Sequence, residues 1–127
     1  MIVVDASAAV AALLNAGPAR QMLAADQLHA PHLIDSEVAN ALRRNEASGG
    51  ISPGSASGAL EIWSRLGLIR YPIIGVIRRV WELRANLSAY DASYVALAEA
   101  LGCALVTCDG RIGRAPGLRC PITVLPG

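Results

Sequence analysis

The segment MIVVDASAAV (residues 1–10) indicates the fold class of the chain. Its apolar residues Ile2 to Val4 run continuously and are β-branched, as in a short strand that is buried on both faces of a parallel sheet. Helix-forming alanines follow at once, with Ser7 as the expected N-cap of the helix. Between strand and helix stands Asp5, a carboxylate at the end of a strand that the pattern predicts to be buried. The sequence therefore predicts an α/β unit that carries an acid at its strand end.

The alternation of strand and helix continues to the end of the chain. Short apolar runs predict further strands at 29–31, 68–71, 103–109 and 121–125. Periodicity, cap residues and glycines predict a first helix that ends at Gly17 and further helices at 19–25, 33–48, 53–66, 76–84 and 89–101. Because strands and helices alternate, the predicted class is α/β with a parallel sheet. A length of 127 residues suits one domain, residues 1–127.

The composition is that of a soluble globular protein. Hydrophobic residues make up 54% of the chain and charged residues 17%, which argues against disorder. No apolar stretch is long enough to span a membrane, and Asp5 interrupts the apolar start as a secretory signal would not, so we expect a cytoplasmic protein. The net charge is +1, and the 11 lysine and arginine residues are all arginine. The planar guanidinium group suits phosphate, so this usage is compatible with binding to nucleic acid.

Four acidic residues occupy positions from which they can reach one edge of the sheet. Asp5 and Asp109 each end a predicted buried strand, and parallel sheets bind their ligands at the carboxyl ends of the strands. Glu37 lies among apolar helix positions with Asn40 three residues on, and Asp91 lies near the start of its helix. Each acid taken singly is also explained as a helix cap, a first-turn acid or a solvated helix residue.

Convergence of the four carboxylates would require a cation, because like charges raise one another's pKa values. The candidate ligands are oxygens, without histidine or cysteine at metal-binding spacing, and this favours Mg²⁺ or Mn²⁺. Such an ion orients a water, lowers its pKa and neutralises charge on a scissile phosphate. The acids therefore predict a metal-dependent site for phosphoryl chemistry, with Asp5 as one ligand.

Four segments of the chain resemble, in order and at the same spacing, the successive motifs of a known family. The segments are VVDASA, PHLIDSEVANALRR, YDASYVALAEALG and LVTCDGRIGRAPG, and the likeness covers essentially the whole chain. They resemble PIN-domain proteins, specifically the VapC toxins of VapBC toxin–antitoxin pairs. The resemblance assigns the catalytic, metal-binding quartet to Asp5, Glu37, Asp91 and Asp109, and the supporting small polar residues to Ser7, Asn40 and Thr107.

The resemblance also implies an architecture, an activity and partners. The expected fold is a three-layer α/β/α sandwich with a mostly parallel sheet of about five strands, assembled as a homodimer. The expected activity is Mg²⁺-dependent (or Mn²⁺-dependent) endoribonuclease cleavage of structured RNA, such as tRNA or rRNA, which leaves a 3′-hydroxyl and inhibits translation. A cognate VapB-type antitoxin would neutralise the toxin, and operator DNA would be contacted only indirectly, through that antitoxin.

Arginines near the acids are candidates for contacts with RNA. Arg111 and Arg114 follow Asp109 and could hold phosphates beside the metal, although solvated surface arginines are an equally good explanation. Arg43 and Arg44 extend the helix of Glu37, and only one of these neighbours can share the face of the acid.

A hydrophobic stripe on the helix at 53–66 is a candidate groove for the antitoxin. Leu60, Trp63 and Leu66 recur on one face of this helix, and its start is rich in glycine and serine. Alternatively, Trp63 packs in the core or at a dimer interface.

Other classes of protein fit the sequence less well. A phosphatase of the haloacid dehalogenase type needs a second Asp two residues after the first, where this chain has Ser7, and a dinucleotide-binding domain needs a glycine-rich turn that DASAA lacks. A catalytically inactive PIN-fold module that binds protein or RNA stays open as an alternative. Metal-dependent cleavage of RNA would separate an enzyme from such a module.

Overall fold

The computed structural model describes residues 1–127 and contains five strands and seven α-helices. The strands are β1 (Ile2–Val4), β2 (Leu28–Pro31), β3 (Leu68–Tyr71), β4 (Ala104–Thr107) and β5 (Ile122–Val124). The helices are α1 (Ala6–Leu14), α2 (Pro18–Ala24), α3 (Leu33–Ala47), α4 (Pro53–Arg65), α5 (Ile77–Glu82), α6 (Ala89–Leu101) and α7 (Gly110–Arg114). The predicted α/β class is confirmed, whereas the short helix α7 was not predicted. None of the helices combines the length and the apolar composition that a membrane-spanning segment needs.

All five strands are parallel and lie in the order β3-β2-β1-β4-β5. The chain first moves outward from β1 to β3 and then returns past β1 to β4, so the strand order reverses between β1 and β4. Because parallel crossovers are right-handed, this reversal places the helices of the two halves on opposite faces of the sheet. On one face α1 packs against α2, α3 and α4, and on the other α5 packs against α6. The predicted three-layer architecture is therefore confirmed.

Helix α6 is the central helix of its layer and contacts β1, β2 and β4. Its residues 92–98 are all buried, as expected of a helix that is apolar on nearly every side. The predicted caps are present at both ends: the Ser88 hydroxyl accepts the N–H of Asp91 at 3.1 Å, and Gly102 adopts a left-handed conformation with φ 68°. The packing of α6 thus sets the position of Asp91 at the carboxyl edge of the sheet.

The cap of α1 differs from the prediction. Asp5, not Ser7, is the N-cap, and its carboxylate accepts the N–H of Ala8 at 3.0 Å. The helix begins at Ala6, directly after the strand, so Ser7 already lies in the first turn and its hydroxyl donates to Asp5 at 2.6 Å. The prediction failed because it placed both Asp5 and Ala6 before the helix, whereas in the structure only Asp5 separates β1 from α1.

The predicted apolar stripe on α4 is not a single exposed surface. Trp63 is only 3% exposed and belongs to the core, whereas Leu60 and Leu66 are 44% and 37% exposed. The buried face of α4 consists of Ala56, Ala59 and Trp63, which lets the helix approach α3. The alternative prediction, that Trp63 packs in the core, is therefore confirmed, and Trp63 is not part of an exposed antitoxin face.

Asp35 on α3 holds α4 and β3 together. Its carboxylate accepts the indole N–H of Trp63 at 2.8 Å and two N–H groups of Arg70, at 2.7 and 2.9 Å. The carboxylate satisfies an indole N–H that would otherwise be buried without a partner, and the guanidinium of Arg70 lowers the pKa of Asp35 below its ordinary value.

We predict that Asp35→Asn lowers the free energy of unfolding at pH 7 by about 1 kcal/mol, because an amide replaces a charge-assisted acceptor at a partly solvated site. The depressed pKa means that the stabilisation is present above about pH 4 and is lost as the pH falls through that pKa, so the difference between the proteins should shrink at pH 3. Urea denaturation at pH 7 and pH 3 measures the difference in the free energy of unfolding between wild type and variant. Glu61→Gln, which removes an exposed pair with Arg65, is the control and should change stability less. Equal losses in both variants would contradict the role of Asp35.

Candidate active site

The reversal of strand order between β1 and β4 creates a cleft at the carboxyl edge of the sheet. Loops that leave these two strands move to opposite faces, which is where parallel sheets place their ligand sites. A cavity of about 370 Å³ lies there, between α1, α3 and α6. All four predicted acids line it, together with other polar residues: Asp5, Glu37, Asp91 and Asp109 with Ser7, Asn40, Arg44 and Tyr94.

Asp5 is the most buried acid of the cavity, with 6% of its surface exposed. The hydroxyl of Ser7 donates to its Oδ1 at 2.6 Å, and the hydroxyl of Thr107 donates to its Oδ2 at 2.5 Å. Burial raises the pKa of Asp5, although these two hydroxyls and the N–H of Ala8 act in the opposite direction. The carboxylate is therefore held in one orientation while part of its charge remains uncompensated.

The predicted companions Ser7 and Thr107 connect the ends of β1 and β4. The Ser7 oxygen accepts the N–H of Cys108 at 2.9 Å, and the Thr107 oxygen accepts the N–H of Asp109 at 2.9 Å. Each hydroxyl thus accepts from the β4 loop and donates to Asp5, so the two strand ends form one hydrogen-bonded unit. The third companion, Asn40, lines the cavity, and its oxygen accepts from Arg43 at 2.9 and 3.1 Å.

Glu37 has a partner that the sequence analysis missed. The hydroxyl of Tyr94, a side chain that is 1% exposed, donates to Glu37 Oε1 at 2.5 Å. Burial raises the pKa of Glu37, and the charges of Asp91 and Asp5 raise it further. Burial and the neighbouring Glu37 likewise raise the pKa of Tyr94. The spacing of three residues between Asp91 and Tyr94 on α6 was a signal that could have identified this tyrosine.

Asp91 and Asp109 differ in their charge balance. Burial raises the pKa of Asp91, and the charge of Asp109 adds to the effect. Asp109, in contrast, accepts the guanidinium of Arg111 at 2.6 Å, which lowers its pKa. The predicted phosphate contact Arg111 is therefore engaged with an acid of the cavity, whereas the other one, Arg114, is exposed and makes no ion pair.

The donor set fits a hard divalent cation by its chemistry. The cavity offers carboxylate, hydroxyl and amide oxygens, and three of its four acids have raised pKa values to which neighbouring carboxylates contribute. In this arrangement the acids share the cavity, but no three of them lie close enough to ligate one ion together.

Comparisons with known proteins agree with this architecture. Residues 2–118 match the family model described as the PIN domain. The chain is 60% identical over 126 residues to "VapC ribonuclease Mb0985" of Mycobacterium bovis and to "Ribonuclease VapC9" of Mycobacterium tuberculosis, with 99% of each chain covered. It is also similar to the crystal structure of PAE2754 from Pyrobaculum aerophilum, with a TM-score of 0.70, 30% identity and coverage of 97% of this chain and 83% of that one. The fold of Mycobacterium tuberculosis VapC20 matches with a TM-score of 0.67 at 20% identity over 94% of this chain and 97% of that one.

We predict that Thr107→Val destabilises the protein by about 1–2 kcal/mol, because the isosteric change removes a buried donor to Asp5 and an acceptor for Asp109. The same change should raise the pKa of Asp5, since one hydrogen bond to its charged form is lost. Urea denaturation and a carbon-13 NMR titration of the carboxyl group measure the two effects. Thr123→Val on β5, whose hydroxyl makes no hydrogen bond, is the matched control and should leave that pKa unchanged. An unchanged pKa in Thr107→Val would show that this hydroxyl does not stabilise the carboxylate.

Proposed function

This chain belongs to the PIN-domain family and, within it, to the VapC ribonucleases, and from that premise we propose that it is a divalent-metal-dependent endoribonuclease and the toxin of a toxin–antitoxin pair. The observation that carries the proposal is the convergence of four acids from four separate elements on one cavity. Helix capping explains the conformation of Asp5 and Asp109, but capping alone does not require Glu37 and Asp91 to face the same space.

The residues that would hold Mg²⁺ or Mn²⁺ are Asp5, Glu37, Asp91 and Asp109. A bound divalent ion supplies Lewis-acid chemistry: it lowers the pKa of water and neutralises charge on a scissile phosphate. Asp109 would have to exchange its contact with Arg111 for such an ion, which would release the guanidinium towards RNA.

The protein side chains contribute orientation and proton transfer. Ser7 and Thr107 fix both oxygens of Asp5, and Tyr94 fixes Oε1 of Glu37. Oε2 of Glu37 makes no hydrogen bond within the protein, so it is free to accept a proton from the water that attacks phosphorus. The bond from phosphorus to the 3′ oxygen then breaks, the phosphate stays on the 5′ oxygen of the following nucleotide, and the 3′ oxygen takes up a proton from solvent to become a 3′-hydroxyl.

Structured RNA, such as tRNA or rRNA, is the proposed substrate, and its cleavage would inhibit translation. Family membership supports this substrate class. The low aromatic content of 4% leaves few rings on which bases can stack, so we expect arginine contacts to the backbone to dominate binding.

The experiment that tests the function uses Asp91→Asn, which removes one charge and nearly preserves shape. Wild type should cleave RNA only with Mg²⁺ or Mn²⁺, and the variant should lose about 100-fold or more in rate. In chelator the variant should melt no lower than wild type, because one source of repulsion is gone. Mg²⁺ should raise the melting temperature of wild type much more than that of the variant, since a ligand stabilises the state that binds it.

Glu46→Gln, which changes an exposed acid outside the cavity, is the control and should behave as wild type in all three measurements. Retained cleavage by Asp91→Asn together with equal Mg²⁺ shifts would remove Asp91 from the site. Cleavage by wild type in excess chelator would contradict the metal requirement, and RNA binding without cleavage in any divalent ion would favour the inactive binding module.

A VapB-type antitoxin is the proposed protein partner, and because Trp63 is buried we propose a neighbouring apolar groove as its binding site. An apolar groove of about 280 Å³ lies between α1, α2 and α4, and Arg20 is the one residue of its lining that is not hydrophobic. Leu66 and the 56% exposed Ile62 contribute to this groove, whereas Leu60 lines a different depression against α3. An amphipathic antitoxin segment that places apolar side chains here would cover Ile62 and Leu66. Operator DNA would then be bound only through the antitoxin.

A second copy of the chain is the proposed partner of another surface. Ile74 and Trp81 are 78% and 67% exposed, and Ile77 lies between them at helical spacing on the outer side of α5. Exposed apolar residues that adjoin in this way commonly mark interfaces, so we assign the homodimer contact to this stripe.

We predict that Ile62→Asp weakens binding of the VapB-type antitoxin by at least about tenfold, because it places a charge in an apolar contact. Leu60→Asp, on the same helix but outside the groove, is the matched control and should bind as wild type. Isothermal titration calorimetry with the purified antitoxin measures both, and retained RNA cleavage shows that the variants are folded. If Leu60→Asp weakened binding and Ile62→Asp did not, the antitoxin would bind the side of α4 around Leu60 instead of the groove.

A further inference from the structure

Arg44 is the only basic residue that lines the acidic cavity. It lies on α3 seven residues after Glu37, and Glu37, Asn40, Ala41 and Arg44 line the cavity together. Their spacing of three, four and seven residues places them on one face of the helix. The structure thereby decides which of the two neighbouring arginines shares the face of the acid: it is Arg44, while Arg43 binds the side chain of Asn40.

Arg44 is not committed to any partner within the protein. It forms no ion pair with the four acids of the cavity, although these carry the charge that a guanidinium would balance. The other arginine beside the cavity, Arg111, is bound to Asp109. Arg44 is exposed, so its guanidinium is solvated and free to bind an anion that approaches the cavity.

The position of Arg44 suits a phosphate group near the acids. Seven residues of α-helix correspond to a rise of about 10 Å, and long helical side chains lean towards the N-terminus, which is the direction in which Glu37 lies on this face. An RNA backbone that approaches four carboxylates meets repulsion, and one arginine at the far end of the same face offsets part of it. The planar fork of a guanidinium matches two oxygens of a phosphodiester.

We propose that Arg44 is a substrate-positioning residue that binds a backbone phosphate of the RNA beside the scissile bond. This inference rests on the proposed ribonuclease function for its substrate, but the phosphate contact itself can be measured without cleavage. Arg44 contributes charge and geometry and takes no part in proton transfer.

The test compares Arg44→Gln and Arg44→Lys with Arg43→Gln as the matched control on the adjacent position. A fluorescein-labelled single-stranded RNA of twelve nucleotides is the probe, titrated in chelator at several salt concentrations and followed by fluorescence anisotropy. Arg44→Gln should weaken binding several-fold at low salt and reduce the slope of log K against log salt by about 0.7, the value for one phosphate contact on a single strand. Arg44→Lys should keep the slope and lose part of the affinity, because the charge stays and the fork is lost. Arg43→Gln should match wild type.

Two results would overturn the proposal. One is a slope and an affinity for Arg44→Gln equal to those of Arg43→Gln. The other is unchanged RNA binding with a lower melting temperature of Arg44→Gln in chelator, which would make Arg44 a counter-charge for the carboxylates instead of a phosphate ligand.

Cleavage with Mg²⁺ separates this proposal from the proposed function. If wild type cleaves RNA and Arg44→Gln binds and cleaves equally well, only the role of Arg44 fails. If wild type cleaves no RNA but Arg44→Gln shows the reduced slope, the phosphate contact stands and the ribonuclease function fails.

Discussion

The parallel pairing of β1 with β4 is the constraint on which the candidate site depends. Val4 pairs with Val106, and the N–H of Asp5 donates to the Val106 carbonyl at 3.1 Å, so Asp5 comes to lie beside Thr107. A hydroxyl 102 positions further along the chain can then donate to the Asp5 carboxylate. The reversal of strand order at the same place opens the cleft into which the other acids project. A change in the register of this strand pair would separate the Asp5 carboxylate from its hydroxyl donors.

The cavity concentrates negative charge that the protein only partly compensates. Hydroxyl and backbone donors hold Asp5, Tyr94 holds Glu37, and Arg111 balances Asp109 alone. Burial nevertheless raises the pKa values of Asp5, Glu37 and Asp91. Such an arrangement costs stability, and proteins retain it where the charge serves binding or catalysis. Asp5 and Asp109 cap α1 and α7 while they also line the cavity, so a capping role does not exclude a role in the proposed site.

Helix α4 shows where periodicity alone misleads. Leu60, Trp63 and Leu66 are spaced by three residues and were assigned to one face, yet the buried face contains Ala56 and Ala59 with Trp63. Small residues let α4 approach α3, and the indole then reaches Asp35, whose role no local pattern indicates. A search for hydrophobic periodicity selects the large apolar side chains, but how closely two helices pack depends on the small residues between them.

The sequence by itself determined the α/β class, the order of the strands and of every helix except α7, most of the caps and the four acids that line the cavity, because strand ends, glycines and helical spacing are local features. The resemblance to a family correctly added the three-layer fold and its sheet of five strands. Only the tertiary structure decided that Tyr94 holds Glu37, that Arg44 and not Arg43 lines the cavity, that Arg111 is bound to Asp109, and that Trp63 is internal. These facts depend on distances between elements far apart in the chain and on the rotation of each helix about its axis. Packing of the whole core sets both quantities, and no short segment of sequence contains them.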